Sequence, residues 1–168
     1  MMKEICLMIG LPLTLLMTLF LSLFFFYQRK PLTFLENSIV YMLITILTTN
    51  VMTILKLNIK VIKVTENPLL FPAVLFYRDG IIPLLVLLFI NVCYRNISLK
   101  AKVFYFMFLY ACSFGMEALL VFLHVIEYVN WNFFYSAIVH ASYFLIGIGM
   151  AEMVLFVSKR SLSNDSGL

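Results

Sequence analysis

The sequence predicts an all-α fold, a polytopic bundle of five transmembrane helices. Three observations predict it. The 168 residues are 64% hydrophobic and only 12% charged, with a mean hydropathy of +1.05, whereas ordinary soluble domains carry roughly 25% charged residues. That leaves too few polar side chains to cover a water-soluble globule, and the same numbers exclude a disordered chain and a disulfide scaffold. Apolar runs near the length that crosses a hydrocarbon core, about 20 residues, occupy 5–27, 38–55, 69–94, 103–126 and 132–157. None alternates in polarity as a barrel strand would. Backbone groups in lipid must be satisfied within their own segment, so the runs are read as helices. Residues 1–160 form a single domain, followed by a polar tail at 161–168 that is expected to fray.

The first run, Ile5 to Tyr27, is longer than a signal-peptide core and ends in an aromatic and basic rim, Phe24 to Lys30, without a cleavage site. It is therefore a span. The second run leads into Lys56, Lys60 and Lys63, which fall on one face of a helix continued beyond the membrane. Such a stripe is either a solvated face of snorkelling lysines or a surface for anionic headgroups. The third run is interrupted by Arg78, Asp79 and Gly80 and punctuated by Pro68, Pro72 and Pro83. It is either a span kinked at Pro83 or a re-entrant segment, which leaves four spans. In the fourth, Ala111, Gly115 and Ala118 form a stripe of small residues, and in the fifth Gly147 and Ala151 do the same, which allows close helix approach. Gly115 and Glu117 face nearly opposite ways, so the fourth span is expected to be the central one.

Positive loops stay cytoplasmic. With five spans, one side holds Arg29, Lys30, Arg95, Lys100, Lys102, Lys159 and Arg160, and the other holds Lys3, Lys56, Lys60, Lys63 and Arg78. This places the N-terminus outside and the C-terminus inside. With four spans the bias is stronger, since only Arg29 and Lys30 would lie outside. Five spans are preferred because lipid-exposed irregular backbone is penalised more than a weak charge bias.

Ionisable groups at membrane depth are candidates for function. At about 1.5 Å per residue, Glu117 and His140 reach similar depth on antiparallel neighbours joined by a short loop, 127–131. Ser113, Glu117 and His124 share a face, and so do Ser136, His140 and Tyr143, so a polar seam is expected between the last two spans. Asn50 and the threonines of the second span, together with Arg78 and Asp79, add to the same outer half. The candidate cluster is thus Glu117, His140, Arg78, Asp79, His124 and Asn50. It is either a shallow ligand or proton site, or glue between helices.

Chemistry beyond this is sparse. His124 and Glu127 with Glu117 and His140 could supply metal ligands, but no repeated ligand motif supports them, and no metal or cofactor is expected. Ser136, His140 and Glu117 name a serine–histidine–acid set without an evident oxyanion hole. Cys6, Cys93 and Cys112 read as small apolar residues. No hydrolase, metalloprotease or phosphate-loop motif occurs, and a net charge of +4 spread over short loops gives no nucleic-acid footprint.

Val125–Ser136, Val-Ile-Glu-Tyr-Val-Asn-Trp-Asn-Phe-Phe-Tyr-Ser, and the Tyr-Arg-Asp-Gly-Ile-Ile-Pro step at 77–83 resemble small uncharacterised multi-pass membrane proteins of spore-forming Gram-positive bacteria. The likeness covers roughly residues 35 to 157 in layout. It implies a bacterial plasma membrane and transfers no functional residue. The expected function is non-enzymatic: an integral protein of the bilayer that packs with another membrane component or with itself. The alternative is a small transporter or ligand-binding protein using the outer polar cluster.

Overall fold

The computed structural model describes residues 2–165, and side chains over 9–160. The side chains of the polar tail and of Cys6 lie outside the described ones. Helix α1 spans Met2–Tyr27 and α2 Phe34–Thr53, prolonged by a π-helical turn at Ile54–Asn58. Strand β1 is Ile62–Val64. A single helical column follows: α3 at Phe71–Leu75, a π turn at Phe76–Ile81 and α4 at Ile82–Cys93. Helix α5 covers Leu99–Phe122, strand β2 Ile126–Tyr128, and α6 Phe133–Asp165. Five segments among the described residues are long and apolar enough to cross a membrane: Ile9–Tyr27, Phe34–Asn58, Phe71–Cys93, Leu99–Phe122 and Phe133–Arg160.

Local chemistry sets the boundaries. Thr33 starts α2 with a capping box: its hydroxyl accepts from the Glu36 N–H while the Glu36 carboxylate accepts from the Thr33 N–H at 2.8 Å. Ser98 caps α5 through the Ala101 N–H. The end of α4 is closed by Lys102, whose Nζ donates to the Cys93 carbonyl at 2.6 Å. His124 stops the chain after α5. It adopts the left-handed conformation, φ 54°, while its own N–H reaches the Val121 carbonyl and the Val125 N–H reaches Leu120. Those two bonds make a Schellman motif.

The third column is the centre of the bundle. It is buried along 78% of its span, against 22–28% for the other four. Every residue of α4 from Ile82 to Val92 is buried. A helix apolar on all sides is one surrounded by protein, and 82–90 is Ile-Pro-Leu-Leu-Val-Leu-Leu-Phe-Ile. The expectation that the fourth span is central is therefore corrected. The face of α5 opposite Glu117 is at the surface, and Gly115 has nothing within 4 Å of where a Cβ would stand. Close backbone approach occurs elsewhere. A Cβ on Gly147 would stand 2.6 Å from Val86, and one on Gly80 would stand 2.8 Å from Thr18. Thus α6 and α1 each rest on the third column through a glycine.

The connections contain an unexpected element. Strands β1 and β2 pair antiparallel, with Ile62 opposite Tyr128, Lys63 opposite Glu127 and Val64 opposite Ile126. Lys63 and Glu127 face outward, opposite in charge, while Ile62, Val64 and Ile126 are buried. The ribbon ties the α2–α3 connection to the α5–α6 connection at one end of the bundle. The expected basic helical face is corrected with it. Lys60 takes φ 60°, and Lys63 is on a strand, so Lys56, Lys60 and Lys63 do not share a helix.

Candidate functional site

Beneath the ribbon a polar network joins three columns. Glu117 on α5 and His140 on α6 are in contact, with Nε2 2.5 Å from Oε2. Ser113, one turn before Glu117, lies 2.6 Å from Nδ1 of the same ring, so one face of α5 grips the imidazole at both nitrogens. The other carboxylate oxygen accepts from Tyr128 at 2.6 Å and Ser136 at 2.8 Å. The Tyr77 hydroxyl, from the π turn, sits 3.4 Å from Oε2 and 3.1 Å from His140 Nε2. Trp131 donates to the Ser136 hydroxyl at 2.7 Å. The carboxylate is thus ringed by donors, which assigns a proton to His140 Nε2. Glu117, His140, Ser113, Ser136 and Tyr77 are all buried. Breaking such a pair by removing one partner costs about 3–5 kcal/mol, because the other is left buried alone.

Tyr128 stands outside the helices, in β2. Burial, and then the adjacent Glu117 carboxylate, hold its phenol above its ordinary value of 10.

The remaining candidates separate. Arg78 forms a two-pronged pair with Asp79, at 2.6 and 2.7 Å, and Thr49 donates to the same carboxylate at 3.1 Å. Arg78 nevertheless reaches the edge of the network, because it lines the same small cavity as Tyr77, Glu117 and His140. Asn50 is exposed and donates to the Ile46 carbonyl of its own helix at 2.9 Å. His124 is exposed as the helix stop described above. Neither Asn50 nor His124 joins the seam. The hydroxyls of Thr14, Thr18, Ser22, Thr45 and Thr53 likewise donate to carbonyls one turn back.

Pro83 explains the second polar layer. Lacking an N–H, it cannot serve the Asp79 carbonyl as the i+4 donor, nor the Arg78 carbonyl as the i+5 donor of the π turn. Helix α2 supplies a donor to each of these carbonyls. Tyr41 gives its hydroxyl to the Asp79 carbonyl at 2.6 Å, and Thr48 gives its own to the Arg78 carbonyl at 3.1 Å. The irregular backbone is thus satisfied inside the protein.

Chemically, the arrangement is closed. The cavity beside the network holds about 30 Å3. One water needs about 10–15 Å3, whereas ligand pockets span about 300–1,000 Å3. Among the described residues no three His, Cys, Asp or Glu side chains gather to hold a metal ion. Ser136 bonds the acid, and Ser113, which touches the imidazole, is fully buried within a helix.

Tyr77, Tyr128 and Trp131 were not among the expected seam residues. At the sequence level Tyr128 and Trp131 look like rim aromatics, and only their hydroxyl and indole N–H hint at a second role. A further polar pair lies nearer the other end of the bundle, where Asn91 of α4 donates to Asn37 of α2 at 2.7 Å. No known protein family, no curated protein and no solved structure matches the chain.

Proposed function

We propose that the chain is a five-span integral protein of a bacterial plasma membrane, without chemistry of its own, that packs against another membrane component or a second copy of itself. The observation that carries this reading is the closure of its polar core: the buried groups satisfy one another, and the space beside them fits one or two waters. Insertion in a bilayer is supported by the exposed apolar side chains on the outer helices, such as Leu16, Phe20 and Leu23 on α1 and Leu145, Met153 and Phe156 on α6, which water would penalise. Five passes rather than four are supported by the ribbon, which requires the α2–α3 and α5–α6 connections to share one side. The smooth face of α5 at Ala111 and Gly115 offers room for a neighbouring helix. Cysteine cross-linking in native membranes tests the reading. G115C should give a discrete cross-linked adduct, and L145C on the outward face of α6 should not. Equal, diffuse behaviour of both would remove the packing role.

One observation favours a second reading, a small proton-coupled carrier. Arg78, Tyr77, Glu117 and His140 share one cavity wall. Flux in proteoliposomes that E117Q abolishes while stability persists would put this reading first.

A further inference from the structure

The opposite end of the bundle carries a basic groove that the polar core does not involve. It lies between the exit of α1 and the turn after α4, holds about 550 Å3, and is lined by Phe24, Tyr27, Gln28, Arg29 and Arg95. We infer that this groove binds the headgroup of an anionic phospholipid, with the phosphate between Arg29 and Arg95 and an acyl chain along α1. The inference rests on the membrane-spanning reading above.

Four observations carry it. Neither arginine is paired with a carboxylate among the described residues, so two positive charges face one cavity uncompensated. The Arg95 guanidinium donates to the Arg29 carbonyl, which fixes the groove's two walls to each other and covers a carbonyl that would repel an anion. Gln28 lines the same wall, and its amide oxygen is buried without a hydrogen-bond partner among the described residues, a polar atom left for a headgroup hydroxyl to reach. Finally, the groove opens onto an apolar track. Leu16, Phe20, Phe24 and Tyr27 recur at helical spacing on α1 and are all exposed, Tyr27 at 94%, with Phe20 and Phe24 stacked at 6.4 Å. A phosphate at the rim with hydrocarbon below it matches a lipid better than a free anion. This end also holds most of the bundle's lysines and arginines, the side that faces the cytoplasm and its anionic leaflet.

The test has two stages. Flotation with phosphatidylcholine vesicles establishes insertion; a protein that stays behind would refute the membrane reading itself and this site with it. Given insertion, detergent-solubilised protein is titrated with phosphatidylglycerol or phosphatidylcholine, and retained lipid is counted by native mass spectrometry. Phosphatidylglycerol should be retained preferentially. R29Q should reduce that preference by about fivefold, the effect of one basic residue at a membrane surface. It keeps the backbone carbonyl that Arg95 holds, so it decides the question even where R95Q lowers the melting temperature. K100Q, at the same end but outside the groove, should retain lipid as the wild type does. Equal retention of the two lipids, or an equal loss in K100Q, would overturn the site. Displacement of the lipid by millimolar inorganic phosphate would show a free-anion site and overturn the lipid assignment.

Discussion

Glu117 and His140 each make the other's burial tolerable, and this sets what their substitution costs. E117L leaves His140 and three hydroxyls without their acceptor, and H140L leaves a carboxylate without its strongest donor. Each should lower stability by about 3–5 kcal/mol. E117Q should be milder, since the amide still accepts from Tyr128 and Ser136. The double variant should cost less than the two single changes summed, with a coupling of about 0.5–3 kcal/mol. Detergent thermal unfolding of all five proteins measures this, and strict additivity would contradict the contact. Tyr128 adds a pH dependence. Its proton is held more tightly in the folded state than in the unfolded one. Its contribution is therefore complete below pH 10 and is lost as pH rises through the higher folded value. Above about pH 10 the wild type should lose stability more steeply than Y128F. Parallel curves would show that neither burial nor Glu117 holds the phenol's proton in the folded state. The pairing of Glu117 with His140 was legible in the sequence because depth along two antiparallel helices is simple arithmetic. The roles of Tyr77 and Tyr128 were not, because a tyrosine near the end of an apolar run looks the same whether its hydroxyl meets headgroups or a carboxylate.

Among the elements, the π turn at Phe76–Ile81 makes the most specific demand. If Tyr41 and Thr48 replace donors that Pro83 cannot supply, Y41F should cost about 1–3 kcal/mol by leaving the Asp79 carbonyl unpaired. P83A restores a backbone N–H at that place. It should therefore recover part of the loss in the Y41F background while doing little alone. Thermal unfolding of the two single variants and the double checks this, and a double variant no better than Y41F would contradict it. Hydropathy located all five long segments because each is dominated by lipid-compatible side chains. It placed neither the π turn nor the ribbon. Three residues, Ile62–Val64 or Ile126–Tyr128, are too few to show a period of two. Arg78–Gly80 reads as a break in a span, although in the folded chain Asp79 neutralises Arg78 and α2 satisfies the backbone. The central position of the third column was legible in principle, since its residues are apolar on every face. The pattern of small residues in α5 pointed elsewhere because Gly115 serves an outer surface.

At the scale of the whole molecule, four columns surround one buried helix. One end is fastened by the β1–β2 ribbon over a closed polar core, and the other is rich in arginine and lysine. The ribbon converts a question of topology into one of contact. Lys60 precedes β1 and Asn130 follows β2, so the two residues must lie on the same side of any membrane the chain spans, and Lys159 must lie on the other. In the four-span alternative, by contrast, Lys60 shares a side with Lys159 and Asn130 stands alone. Single cysteines at Lys60, Asn130 and Lys159, probed in intact cells with a membrane-impermeant maleimide, separate the two directly. Labelling of K60C and N130C from outside, with K159C protected until the cells are opened, is the result predicted here. Labelling of N130C with K60C and K159C both protected would contradict it.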